Sequence, residues 1–353
     1  MEYTMITAGI IGATGYVGVE LVRLLLAHPD VSKLSLSSIS FEGQNLVDIY
    51  PNLRGLLKEK TDGVLLEADA VVAASDIVFT ALPHGVAEKY AAECIKTGKK
   101  MVDLSADFRF DDDEATFKAW YGKNYEYPEV HAESVYGLPE LNREKIKKAR
   151  VIGNPGCYVT AATLALLPML AKNLVKTDLV IVDAKSGISG TGRNATQTNH
   201  FCESGESFAP YNIGKHRHQP EIARNMGCAA GKPVNVIFTP HLLPMSRGII
   251  ATVYAPLAKP MTADEVHAIY TSHYADEPFV RVLPLGSTAT TRNVRGSNFC
   301  DISVHVVNDG TLLEMVSAID NMVKGAAGQA VQNMNVLCGF AETAGIDAVP
   351  AAF

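Results

Sequence analysis

Residues 5–26 hold the feature that most constrains this chain: an apolar run, a glycine-spaced turn and a second apolar-rich run follow one another without interruption. Met5–Ile11 reads as a buried strand, Gly12-Ala13-Thr14-Gly15-Tyr16-Val17-Gly18 as a turn, and Val19–Leu26 as a helix. Glycines on such a turn let the backbone approach a pyrophosphate, whose charge rests on the N-terminus of the following helix. Gly12, Ala13, Thr14, Gly15, Tyr16 and Val17 are therefore candidate dinucleotide contacts. The spacing is G-x-x-G-x-x-G, not the standard G-x-G-x-x-G. A strand-to-helix turn with no ligand is the plain alternative.

The runs that follow extend a Rossmann-type α/β pattern. Lys33–Ser40 alternates as a second strand and ends in Ser37, Ser38 and Ser40. The standard fingerprint places an acidic residue there to bind the ribose 2′-hydroxyl of NAD. Serines hydrogen-bond a 2′-phosphate, whereas a carboxylate repels it, so Ser37 and Ser38 point to NADP. Serines that merely end a strand are the alternative. Asp76–Gly85 reads as a further strand, with Leu82 and Pro83 at its tip near the cofactor and a helix from about Val86 to Thr97. His84 is assigned to packing or turn chemistry. Lys100–Arg109 reads as a fourth strand. Arg109 is either an anion clamp or the partner of Asp103, Asp107 or the acidic run 111–114. Residues 111–148 lack periodicity and read as a surface excursion.

The chemistry centres on Gly153-Asn154-Pro155-Gly156-Cys157-Tyr158. The apolar run Val159–Leu167 after it reads as a helix, so Cys157 stands on a tight turn at a helix N-terminus. Unpaired N–H groups and the helix dipole favour an anion there, which for a cysteine is the nucleophilic thiolate. The other five cysteines read as ordinary free thiols, because none is spaced as a disulfide framework or zinc site.

From about residue 161 the pattern changes. Leu179–Ala184, Val234–Phe238, Gly248–Tyr254 and Cys300–Val306 read as strands, with one helix at Ala263–His273. Several strands with few helices between them indicate an α+β unit with a mostly antiparallel sheet. Its uncovered face could take a subunit partner, as a homodimer or homotetramer. Residues 185–218 form a long polar stretch containing Ser186-Gly187-Ile188-Ser189-Gly190-Thr191-Gly192-Arg193, with glycines and hydroxyls suited to a small polar ligand. The stretch ends in His216-Arg217-His218-Gln219-Pro220-Glu221-Ile222, at a helix start. A thiolate mechanism needs an acid/base partner, and His216 is taken first for it, His218 second. A metal site is the competing reading, resting on two histidines two apart with no further ligand pattern, and a solvated helix start is the plain alternative. Pro240–Gly248 is read as mainly structural. Residues 311–335 carry Leu312, Val316, Ile319 and Val323 at helical spacing, so a helix is expected to return to the first domain and bring Asn333 to the cofactor.

The 353 residues thus divide into a dinucleotide-binding domain, 1–153 completed by 325–353, and a catalytic and oligomerisation domain, 154–324. A net charge of −7 argues against nucleic acid or an anionic membrane as partner. No apolar run is long enough to span a bilayer, and the cysteine usage suits a reducing cytoplasm.

Together the 12–18, 154–158, 186–190 and 216–222 motifs resemble the N-acetyl-γ-glutamyl-phosphate reductases, the arginine-biosynthetic branch of the aspartate-semialdehyde dehydrogenase superfamily. The likeness runs nearly the full length, through Gly296-Ser297-Asn298 and the 325–335 tail. Val159 departs from the proline common at that position. The resemblance implies attack of Cys157 on an acyl phosphate, loss of phosphate, and reduction of the resulting thioester at the expense of NADPH. It implies that Arg109 binds the leaving phosphate. Asn154, Ser189, Arg193 and Glu221 become candidate substrate contacts, and Ser186 and Gly187 candidate cofactor contacts.

Overall fold

A computed structural model describes residues 5–57 and 59–352. The chain forms two compact units, Met1–Pro155 with Ala326–Asp347, and Gly156–Gly325 with Ala348–Phe353. No helix among the described residues is long and apolar enough to cross a membrane.

The first unit is built on a seven-stranded sheet among the described residues. Its strands are β1 (Ile6–Ile11), β2 (Val31–Ser37), β3 (Leu65–Leu66), β4 (Ile77–Thr80), β5 (Lys100–Asp103), β6 (Ser134–Tyr136) and β7 (Val151–Gly153). They lie in the order β3-β2-β1-β4-β5-β7-β6, and every pairing is parallel. β1 pairs on both sides, and its last four residues are buried, which is why it reads as an unbroken apolar run. The direction of winding reverses between β1 and β4, so their carboxyl ends open the crevice where ligands bind in such sheets.

The second unit carries a mixed sheet of β8 (Val180–Gly187), β9 (Ala209–Pro210), β10 (Val236–Leu243), β11 (Ile249–Pro256), β12 (Val280–Val282), β13 (Cys300–Val307) and β14 (Leu312–Ile319). Their order is β12-β13-β14-β11-β8-β10-β9. Four of the six described pairings are antiparallel; β8 with β10 and β12 with β13 are parallel. The helix Cys157–Ala171 is buried on nearly all sides, consistent with its uniformly apolar sequence.

Three expectations are corrected. The apolar residues of 312–319 belong to a strand, not a helix. Leu313, Met315 and Ser317 are buried between β11 and β13, while Leu312, Glu314 and Val316 alternate to the other face. Only after Ile319 does the backbone turn helical, through a π-helical turn at Val323–Ala327 into the helix Gly328–Cys338. That helix belongs to the first unit, where Asn335 Oδ1 meets His28 Nε2 at 2.8 Å and Lys100 Nζ donates to the Leu337 carbonyl at 2.7 Å. The stretch 111–148 is no mere excursion, because it holds helices at Glu114–Tyr121 and Pro139–Ile146 and supplies β6 to the sheet. Finally, the strand expected over 100–109 stops at Asp103, whose carboxylate accepts from Thr80 Oγ1 and from Ser105 N and Oγ.

Candidate active site

In the first unit the glycine turn after β1 takes the tight form its sequence predicts. Gly12 has φ +94°, and a Cβ there would lie 2.4 Å from the Ala81 carbonyl oxygen, so only glycine fits. The Gly12 and Ala13 N–H groups donate to the Ser37 carbonyl at 3.0 and 2.9 Å. The helix Tyr16–Leu26 then starts from Gly15, which has no side-chain cap; a Cβ at 15 would meet nothing nearer than Gly12 O at 3.5 Å. Tyr16 and Val17 form the first turn after Gly15. Thr14 is held by its hydroxyl to that of Ser38, 2.7 Å away. Ser37 and Ser38 are both buried, and of the three serines only Ser40 is exposed.

After β4, Leu82 is half-buried and Pro83 exposed. His84 Nδ1 accepts from the Ala106 N–H at 2.9 Å, the turn role read for it. Asp107 accepts from the N–H groups of Gly85, Val86 and Ala87, which fixes the next turn of this rim. Arg109 is buried and donates Nε to the Asn154 carbonyl at 2.9 Å and Nη2 to the Leu104 carbonyl at 3.2 Å. Asn333 is fully buried and donates Nδ2 to Gly137 O at 2.8 Å and to Asn154 Oδ1 at 3.0 Å. Its own Oδ1 has no partner within the protein. The sequence-predicted residues Asn154, Arg109 and Asn333 are thus joined in one network.

In the second unit Cys157 is the first residue of its helix and is half-buried. Gly156 is the cap residue and, lacking a side chain, makes no side-chain cap bond of its own. The backbone N–H of Gly156 donates to Glu221 Oε1 at 2.9 Å, and Glu221 is buried. The His218 ring lies against the same glycine, since a Cβ at 156 would come within 2.4 Å of His218 Nε2. Gly325 closes the other side: its Cβ would stand 2.8 Å from that of Cys157. Small residues therefore bring His218 and the 320–325 turn hard against the start of the cysteine helix.

His216 packs edge-on against Tyr158, Tyr211, Phe238 and His218. Its Nδ1 accepts from the His218 backbone N–H at 3.1 Å, which leaves the proton of the neutral ring on Nε2. Burial, and then the Arg217 charge, pull His216 down to about 4. Tyr158 donates its hydroxyl to the His241 carbonyl at 2.9 Å and accepts from the Tyr211 hydroxyl at 3.3 Å. Burial pushes Tyr211 up to about 12 and Tyr158 well above its ordinary value, so both phenols remain proton donors at neutral pH.

The polar stretch after β8 is pinned rather than loose at its start. Gly187, Ile188 and Ser189 donate backbone N–H groups to the carbonyls of Gly248, Met245 and Ser246. Ser186 is buried, and its hydroxyl donates to Gly187 O. Ser189 Oγ accepts from Asn321 Nδ2 at 3.0 Å, while Arg193 is exposed further along. Beside Tyr211 a cavity of about 280 Å³ opens, lined in part by Gln197, Glu203, Ser204 and Leu242. Tyr211 and Asn321 are neighbours of the site that the sequence does not announce, and Gly325 is announced only as the start of the 325–335 tail. Glycine richness around 325 was the one signal available for that contact.

Comparison with known proteins places this geometry. The semialdehyde dehydrogenase NAD-binding domain matches residues 7–149, and the semialdehyde dehydrogenase dimerisation domain matches residues 157–321. The chain is 50% identical to the N-acetyl-gamma-glutamyl-phosphate reductase of Clostridium beijerinckii over 349 residues, which cover 99% of this chain and 100% of that protein. The reductase of Symbiobacterium thermophilum is 49% identical over 343 residues, 97% of each chain. Among solved structures, aspartate semialdehyde dehydrogenase II from Vibrio cholerae superposes with a TM-score of 0.72 at 18% identity, covering 95% of this chain and 98% of that one. The Candida albicans aspartate semialdehyde dehydrogenase with NADP gives 0.68 at 16% identity, covering 95% and 99%. At that identity the likeness speaks for the fold.

Proposed function

We propose, given that the chain belongs to the N-acetyl-γ-glutamyl-phosphate reductases, that it reduces N-acetyl-γ-glutamyl phosphate to N-acetylglutamate semialdehyde with release of phosphate. Family membership makes it an oxidoreductase that reductively dephosphorylates an acyl phosphate. The finer reading is a thioester route with NADPH, serving arginine biosynthesis in the cytoplasm.

The observation that carries this reading is Cys157 as the first residue of a helix whose cap residue, Gly156, lies against the His218 ring and donates its N–H to Glu221. The Cys157 thiolate attacks the acyl carbon. The tetrahedral oxyanion takes hydrogen bonds from N–H groups at the helix start, and the C–O bond to phosphate breaks, leaving a thioester. Reduction of the thioester to the aldehyde expels the thiolate again. Of the two histidines we assign His218 to hold and move the proton at the sulfur and at the forming aldehyde. His216, drawn down to about 4 by burial, serves as a neutral wall that orients His218. Glu221 fixes the cap by accepting from Gly156 N.

The first unit's residues fit a dinucleotide. Gly15 puts no side chain at a helix N-terminus, and the buried Asn333 Oδ1 is an acceptor suited to a carboxamide N–H. Gly12 to Val17 would hold the pyrophosphate, Leu82 and Pro83 the rim, and Asn333 the nicotinamide amide, with Ser186 and Gly187 as further contacts. The end of β2 offers Ser37, Ser38 and the exposed Ser40 instead of a carboxylate, which favours NADP over NAD. Bound there, NADPH supplies the hydride that a thioester needs to reach the aldehyde level. We assign Arg109 and Asn154 to the phosphate side of the substrate, and Ser189, Arg193 and Glu221 to its remaining polar groups. The two units correspond in this reading to a cofactor domain and a catalytic and oligomerisation domain.

Ile181, Ile250, Thr252, Tyr254 and Val316 are half-buried and alternate with buried residues along the second sheet. Covering that face with a second copy, as a homodimer or a pair of homodimers, accounts for the pattern. The function is tested in reverse, with phosphate, NADP or NAD, and a panel of semialdehydes. N-acetylglutamate semialdehyde with NADP is expected to be fastest; a preference for aspartate semialdehyde contradicts the substrate assignment.

A further inference from the structure

The turn between β10 and β11 presents an arginine that the reaction scheme above leaves without a task. Arg247 is half-exposed, and its neighbours Met245, Ser246 and Gly248 hold Ile188, Ser189 and Gly187 through their carbonyls. Its Nη1 stands 3.7 Å from Oδ2 of Asp320, whose side chain is fully buried. Shorter bonds already engage that carboxylate: Gly296 N donates to Oδ2 at 2.7 Å, and Met322 N and Val323 N donate to Oδ1 at 2.8 and 3.2 Å. Asp320 thus steers the guanidinium from beyond hydrogen-bond distance, while backbone amides disperse much of its charge.

Asp320 also begins the turn that reaches the cysteine. Its carbonyl accepts from Gly325 N at 3.0 Å, and Gly325 abuts Cys157. Asn321, the next residue, donates to Ser189 Oγ and accepts from Gly248 N at 2.8 Å. The chain segments 187–189, 246–248 and 320–325 are therefore one bonded frame, with Cys157 packed at one end and Arg247 carried at the other. An N-acylated glutamyl phosphate has matching ends: a reacting carbonyl, and an α-carboxylate three carbons away.

We propose that Arg247 binds the α-carboxylate of the acyl substrate and so determines specificity for an acyl group that carries one; this rests on the acyl-phosphate reductase reading. A guanidinium matches a carboxylate bidentately, and an arginine anchored to a rigid turn loses little freedom in doing so. The distal anion is favoured over phosphate because Arg247 meets the far end of the 320–325 turn, whereas phosphate leaves from the carbon attacked by Cys157.

The test is the preference of the protein between two aldehydes in the phosphate-dependent reverse reaction: N-acetylglutamate semialdehyde, and 4-acetamidobutanal, which lacks only the α-carboxylate. Wild type should favour the first. Arg247→Met should shrink that preference roughly 10- to 100-fold, mainly through KM for the aldehyde, and Arg247→Lys should retain part of it. An unchanged preference in Arg247→Met, whatever the loss of rate, overturns the proposal and leaves a structural clamp on the Asp320 turn. A rise confined to KM for inorganic phosphate overturns it in favour of the leaving group. Should Arg247→Met fail to fold, Arg247→Lys decides on the same ratio. Wild type inert toward both aldehydes removes the reductase reading itself, and the proposal with it.

Discussion

The His218 ring rests on Gly156, with Nε2 placed 2.4 Å from where a Cβ at 156 would be. The absence of a side chain at 156 is therefore what lets an imidazole stand beside the first turn of the Cys157 helix. Gly156→Ala should displace the ring or the helix start, an overpacking cost of about 1–3 kcal/mol. The expected outcome is a fall in kcat/KM of at least tenfold with a lowered Tm. Full activity in Gly156→Ala contradicts the close approach.

Glu221 reaches the other side of the same residue through the Gly156 N–H. Glu221→Ala leaves a buried donor unmet, which costs about 1–3 kcal/mol, whereas Glu221→Gln keeps an acceptor oxygen. Chemical denaturation of the two variants should therefore rank Gln well above Ala. Equal midpoints contradict the capping role.

His216 predicts a pH dependence of stability. Its folded pKa, about 4, lies below its ordinary value of 6.5, so between these values the unfolded chain binds more protons. Its contribution is complete above about pH 6.5 and is lost as pH falls toward 4, to the extent of roughly 2–3 kcal/mol. Urea midpoints at pH 7, 5.5 and 4.5 should fall less steeply in His216→Gln than in wild type. Parallel slopes would show that His216 is not buried neutral.

How much of this was legible in the sequence depended on the range of the contacts. The strand, glycine turn and helix of 5–26 announce themselves because each element's signal is local. Cys157 and the 216–222 cluster were found for the same reason. β14 was misread because Leu312, Val316 and Ile319 happen to fall at helical spacing, while the alternation of Leu313, Met315 and Ser317 reports the strand. Asn321 was invisible because its partners, Ser189 just after β8 and Gly248 just before β11, lie far along the chain. Residues 111–148 hid their strand in three residues, too few for any period to show.

Asn333 supports Asn154 and Gly137 while keeping an unpartnered buried oxygen. Asn333→Leu removes two buried bonds and the acceptor. Loss of about 1–3 kcal/mol in stability is expected. If Asn333 also holds the nicotinamide amide, dissociation of NADPH followed by fluorescence should weaken at least tenfold. Unaltered NADPH affinity in a folded variant confines Asn333 to a structural role.

The central claim is a covalent acyl group on one sulfur. Mass spectrometry of the protein mixed with N-acetyl-γ-glutamyl phosphate, without NADPH, measures it directly. An adduct of N-acetylglutamyl mass on the peptide bearing Cys157, absent from Cys157→Ser and discharged by NADPH, is the predicted result. An unmodified Cys157 in protein that turns over once NADPH is added contradicts the thioester route.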